Sequence, residues 1–240
     1  MDYTENNRMA FQAVHTQDIS RTFISKVFMW MAGALALTAI TSFLVAANFE
    51  TILPYFFSET GRSPLFWIVI FAPFVLVLVM SSAVNRLSMN VLSLLFILYS
   101  VLMGVSLSFI FLVYDPRVIG ITFAVTAGTF TMMSVVGYTT KTDLTKFGSL
   151  LLMALIGIII AMLVNIFMKS SAMDYVISII GVLIFTGLTA YDVQKLKNYS
   201  AQVGEFDNTA GKMALMGSLT LYLDFINLFL FLLRIFGRKN

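Results

Sequence analysis

The chain has no cysteine, one histidine and four prolines, and charge is scarce along its whole length. Without cysteine there can be no disulfide, no thiolate metal site and no cysteine nucleophile. The single His15 lies in a polar N-terminal stretch, so any metal site would have to be built from oxygen ligands. Lys, Arg, Asp and Glu make up 11% of the 240 residues, against roughly 25% in an average soluble domain. With 59% apolar residues and a mean hydropathy of +0.92, the composition excludes a soluble globular enzyme, a disordered chain and a nucleic-acid binder. It leaves a polytopic helical membrane protein with no separate soluble domain.

Seven apolar runs carry that class. They cover residues 27–47, 65–84, 91–113, 118–137, 147–168, 175–191 and 213–233, and they are 17 to 23 residues long. About 20 residues at a 1.5 Å rise cross a ~30 Å hydrocarbon layer, so each run predicts a transmembrane helix. A β-barrel would need alternating segments of about ten residues, and these runs are continuously apolar. The expected fold is an all-α membrane protein of seven transmembrane helices. It has a polar tail over residues 1–26 and a single membrane domain over 27–237. The tail carries Asp2, Glu5, Arg8, Asp18, Arg21 and Lys26 and no small-residue cleavage site follows the first run, so that run is expected to be retained as a signal anchor.

Lys and Arg set the expected orientation. Nine lie in the N-terminal tail and in the loops after spans two, four and six, and three (Arg62, Arg117, Lys169) lie in the other loops. The N-terminus is therefore expected in the cytoplasm. Arg234, Arg238 and Lys239 at the far end run against this rule. Residues 198–211 form the longest interior polar stretch and read as a cytoplasmic loop. Small residues at helical spacing (Ser100, Gly104 and Ser108; Gly157, Ala161 and Asn165) predict close helix packing. Thr122, Thr126 and Thr129 share one helix face, where hydroxyls are expected to bond their own backbone.

Eleven of the twelve acidic residues fall outside the apolar runs or at their ends; Asp224 does not. A charge at a helix centre costs roughly 2.5–3.5 kcal/mol on insertion scales, so a partner or a function must offset it. Helical spacing aligns Gly217, Thr220, Asp224, Asn227, Phe231 and Arg234 in one stripe. A single polar stripe in so apolar a chain should face the bundle interior or a water-filled cavity. Asp192 ends span six, on a face with Ser178, Gly181, Phe185 and Thr189, and Arg86 ends span two. Taken alone, Asp192 could be an interfacial acid paired with Lys195, and Arg86 a plain cytoplasmic anchor. Spans two and six end on the side where span seven begins, however, so the three groups lie at compatible ends. If the core of span seven starts near Gly217, Asp224 is about 10 Å deep; if span six runs on to Lys197, Asp192 is about 7 Å deep.

Two carboxylates held together in low dielectric repel, and the pair can share a proton. A deprotonated pair also attracts a hard cation such as Ca²⁺, which takes oxygen ligands; two carboxylates are too few for a tight cage. Such a group suits a proton-sensitive gate on a cation path, with Thr220, Asn227 and Thr189 as supporting polar residues.

The stretch from Ala214 through Tyr222, Asp224, Asn227 and Arg234 to Gly237 resembles the Bax inhibitor, or transmembrane BAX inhibitor motif, family. Tyr191-Asp192 at the end of span six and the Tyr138-Thr-Thr-Lys141-Thr-Asp143-Leu144 loop resemble it too. The resemblance extends over residues 20–237. It implies a bacterial member in the inner membrane, with six helices in two inverted halves around a central seventh. It implies a pH-sensitive Ca²⁺ leak, gated by Asp192 and Asp224 and clamped by Arg86, with no resident cofactor. A monomer in the lipid bilayer is the expected state.

Two other readings arise from the same residues. Intramembrane aspartyl proteases also place a Tyr-Asp on one helix and an Asp on the next. Their second motif is Gly-x-Gly-Asp, where this chain has Leu221-Tyr-Leu-Asp224, and no proline follows Asp224 to supply their Pro-Ala-Leu element. No enzyme is expected. The alternative is a non-transporting regulator that binds a membrane protease or another protein partner, with the polar N-terminal tail as its handle.

Overall fold

A computed structural model describes residues 3–58, 61–203 and 207–237, with the side chains of 3–18 and of Ser58 left aside. His15 and Arg8 fall among those side chains, and Arg238 and Lys239 lie outside the described residues. The helices are α1 (Tyr3–Ala47), α2 (Phe49–Phe56), α3 (Pro64–Ala83), α4 (Met89–Ser108), α5 (Pro116–Thr139), α6 (Thr145–Met168), α7 (Ser171–Ser200) and α8 (Asn208–Phe236). A short 3₁₀ turn, Phe109–Leu112, extends α4. Among the described residues, seven helical segments of 20 to 30 residues are long and apolar enough to cross a membrane, and they coincide with the seven runs.

The helices overrun the apolar runs because polar residues at a membrane surface can continue a helix without cost. α1 starts at Tyr3, inside the polar tail, and α7 continues to Ser200, beyond the run that ends at Tyr191. Asp192 is therefore interior to a helix rather than at its end, and the connection to α8 is shorter than the 198–211 stretch. Between spans one and two the chain forms α2 and a two-residue antiparallel pairing of Phe57–Ser58 with Gly61–Arg62, which no periodicity announced. Helix starts follow local chemistry. Asp115 caps α5 by accepting from Arg117 N at 2.7 Å, with Pro116 at the first helical position.

The chain divides into two compact units. One holds the start of α1, helices α5, α6 and α7, and α8 from Thr220. The other holds α1 from Ser25, α2, α3, α4 and α8 up to Leu219. The last span is 61% buried and α6 only 11%, which makes α8 an interior helix and leaves α6 largely to lipid. That burial is why a helix with a polar stripe can be tolerated.

In the first unit α7 is the axis against which α5, α6 and α8 pack. The contact is close because glycines face it. A Cβ on Gly137 would strike the Ala190 carbonyl, one on Gly148 would lie 2.5 Å from the Tyr191 ring, and one on Gly187 2.6 Å from Leu151. Ile158, Ile184, Leu188 and Leu228 fill the space between these helices. Thr122 and Thr126 return their hydroxyls to Val118 O and Thr122 O, each at 2.7 Å, as expected of threonines in an apolar helix. In the second unit Gly104 sits against α1, where a Cβ would lie 2.6 Å from Thr41 Cβ. Beside it Thr38 Oγ1 donates to Ser100 O at 2.9 Å. Gly157, by contrast, has nothing within 4 Å of a built Cβ and does not form the packing ridge its spacing suggested.

Candidate carboxylate site

The C-terminal part of α8 presents its polar stripe to a cavity of about 430 Å³ between α6, α7 and α8. Thr220, Asp224, Asn227, Phe231 and Arg234 all line it, and Asp192 enters from α7. Gly217, the first residue of the expected stripe, is buried in the other unit. The stripe meets α7 because Gly181 lets the Phe231 ring lie flat on its backbone, with Phe185 stacked at 5.8 Å. On the opposite face Phe225 fits between Phe123 and Phe130 of α5, at 5.4 and 5.6 Å. Rings on both sides thus fix the rotation of α8 about its axis.

That rotation puts Asp224 against Asp192, and the two carboxyl groups interact through charge and hydrogen bonding. Asp224 is 4% exposed; Asp192 is only partly buried. Among the described residues no donor reaches Asp224 Oδ2. A buried carboxyl oxygen without a donor is costly and needs a proton, a cation or water as partner. Lys195 does not supply one: its ammonium lies over the Tyr191 ring at 6.0 Å. Lys197 donates to Tyr138 O at 2.6 Å.

The supporting residues divide. Thr220 and Asn227 line the cavity, and Asn227 Nδ2 donates to Leu223 O at 2.8 Å. Thr189 is fully buried and spends its hydroxyl on Phe185 O at 2.8 Å, outside the cavity lining. Arg86 lies exposed in the turn between α3 and α4, in the other unit. Among the described residues no cluster of three or more His, Cys, Asp or Glu side chains could hold a metal ion. The oxygen ligands on offer are the two carboxylates with Thr220 and Asn227 beside them, fewer anionic groups than a tight Ca²⁺ site uses.

Two features were not foreseen. At the other end of the cavity Arg234 Nη1 lies 3.7 Å from Asp174 Oδ1, with the guanidinium over Phe231 at 5.5 Å. The alternation of spans carried this signal, because the start of span six and the end of span seven share a side. Gln194, two residues beyond Asp192, is 7% exposed and ties α7 to the α5–α6 loop. It was hidden in a segment that read as surface.

The family model described as inhibitor of apoptosis-promoting Bax1 matches residues 20–240. The inner membrane protein YbhL of Escherichia coli K12 is 49% identical over 221 residues, covering 92% of this chain and 93% of that protein. An uncharacterized protein of Borreliella burgdorferi is 48% identical over 92% of this chain and 94% of its own length. One from Deinococcus radiodurans is 42% identical over 97% of each.

Proposed function

This chain belongs to the Bax inhibitor family of membrane proteins, and we propose that within it the chain is a pH-sensitive calcium leak gated by Asp192 and Asp224. The observation that carries this reading is a buried carboxylate in a membrane-spanning helix, beside a second one in the wall of the same cavity, with no donor on its Oδ2 among the described residues. Protons and divalent cations compete for such a pair, since a shared proton and a bound cation satisfy the same oxygens. The shortage of further anionic ligands favours passage over storage. Thr220 and Asn227 supply neutral oxygens along the way.

The E. coli relative is named as an inner membrane protein; the same location, with a cytoplasmic N-terminus, is proposed here. The protein works as a monomer, without a resident cofactor and without enzymatic chemistry. A regulator that binds a membrane-protein partner is the second reading. It draws on the helical continuation of α1 to Tyr3, ahead of the span that begins at Ile19.

One experiment separates the two. Purified protein in liposomes loaded with a Ca²⁺ dye should pass Ca²⁺ by itself, and removal of residues 1–18 should leave that flux in place. No flux above empty liposomes from folded protein contradicts the leak and leaves the regulator.

A further inference from the structure

The cavity beside Asp224 is larger than a lone ion needs. Its volume of about 430 Å³ lies within the range of small-ligand pockets, about 300–1,000 Å³. Away from the carboxylates most of its wall is apolar. Leu155, Ile159 and Met162 follow one face of α6, and Leu223 and Leu230 line the cavity from α8. All of them belong to the first unit. The cavity is open, and Ile159 remains 45% exposed on the span that is least buried.

The charges in the wall are unevenly spent. Among the described residues of the lining Arg234 is the one cation. Its Nη1 lies 3.7 Å from Asp174 Oδ1, and its guanidinium lies over Phe231 at 5.5 Å. It follows Asp224 by ten residues, about 15 Å along a helix. At the near end Asp192 and Asp224 hold each other, and Lys195 acts on Asp192 through its charge. No donor among the described residues reaches Asp224 Oδ2. Asp224 is 4% exposed, while the partly buried Asp192 gives the pair a face on the cavity. The cavity thus combines an apolar body, an acidic end short of donors, and a far end whose cation is already matched.

We propose that this cavity is a binding site for a lipophilic primary amine. The ammonium sits on the carboxyl pair, and the apolar body lies along Leu155, Ile159, Leu223 and Leu230. An ammonium brings three N–H donors and no acceptor, so it supplies what Asp224 Oδ2 lacks. Hydrogen bonds between ionised partners are also among the stronger ones. A polyamine has no apolar body to cover the wall, and an anionic amphiphile meets two carboxyl groups where the cation of the lining is taken. A seated amine occupies the oxygens on which the leak reading relies. Its binding needs no flux, so either reading can fail without the other.

The full chain in phosphatidylcholine nanodiscs is titrated by calorimetry at neutral pH with n-octylamine, n-octanol and octanoate, with empty nanodiscs as the partition blank. The three probes share a chain length and differ in head group. Octylamine, an ammonium at this pH as lysine is, should bind saturably and at least tenfold tighter than octanol, with octanoate the weakest. Asp224→Asn should remove the advantage of the amine and leave octanol where it was. Leu155→Trp, which fills the body of the cavity, should weaken octylamine and octanol alike. Equal affinity of amine and alcohol in the parent overturns the proposal, and that comparison stands even where neither variant folds. So does an amine advantage that survives Asp224→Asn, octylamine binding untouched by Leu155→Trp, or octanoate binding tighter than octylamine.

Discussion

Gln194 holds Leu144 from across a helix–helix contact: its Oε1 accepts from Leu144 N at 2.8 Å, and its Nε2 donates to Thr142 O at the same distance. One buried amide thereby satisfies two backbone groups of the loop that turns α5 into α6, next to Asp192. Gln194→Ala leaves both loop groups and removes their partner; Leu144 is half-buried and Thr142 exposed, so the cost is about 1 kcal/mol, the low end for a group left unsatisfied. A lowered midpoint of thermal unfolding in detergent is the expected result. An unchanged midpoint would mean that water replaces the side chain.

Glycines at helix contacts make a graded set. Gly104→Ala places a methyl 2.7 Å from Thr38 O and 2.6 Å from Thr41 Cβ, and forcing extra volume into a packed contact typically costs about 1–3 kcal/mol. Gly157→Ala meets nothing within 4 Å and should be neutral or stabilising by up to about 1 kcal/mol, the helix-propensity difference. Unfolding of the two variants side by side checks this, and equal destabilisation would refute the packing assignment.

Seven spans could be counted from the sequence because lipid demands continuous apolar runs, and Asp224 could be singled out because a lone charge in such a run is expensive. The stripe of Thr220, Asn227, Phe231 and Arg234 followed from the helical period alone. Helix ends could not be read the same way, since backbone hydrogen bonds continue through polar residues at the surface. That is why Gln194 looked like loop chemistry and α2 stayed invisible. Gly157 marks the opposite failure: spacing identifies a small-residue face, but a helix packed on one side only has a second face that meets lipid.

Asp207 lies just ahead of α8, exposed, and the hydrogen bond from the Ala210 amide holds its carboxyl below the ordinary aspartate value of 3.8. A depressed folded value means stabilisation that is fully present above the unfolded value and lost as pH falls through the folded one. The first turn of α8 should therefore loosen only in acid below about pH 4. Hydrogen exchange at Ala210 and Gly211 should speed up there beyond its intrinsic pH dependence, and Asp207→Asn should remove that extra step. Persistence of the step in the variant would assign it to another group.

Arg234 and Asp174 are 39% and 49% exposed at 3.7 Å, so solvent screens them. Arg234→Gln should change unfolding stability by less than about 1 kcal/mol, the usual worth of an exposed pair. A larger loss would show that the guanidinium contributes mainly through its packing on Phe231.

The most direct test concerns the carboxyl pair itself. Ca²⁺ flux into dye-loaded liposomes should be recorded from about pH 5 to pH 8 for the parent, Asp192→Asn, Asp224→Asn and the double variant, each checked for folding by gel filtration. Because paired sites titrate as a unit, either single substitution should flatten the pH profile and alter the flux, and the double variant should add little. Parent-like flux and an unchanged profile in both single variants would contradict the assignment of Asp192 and Asp224 as the proton-responsive gate.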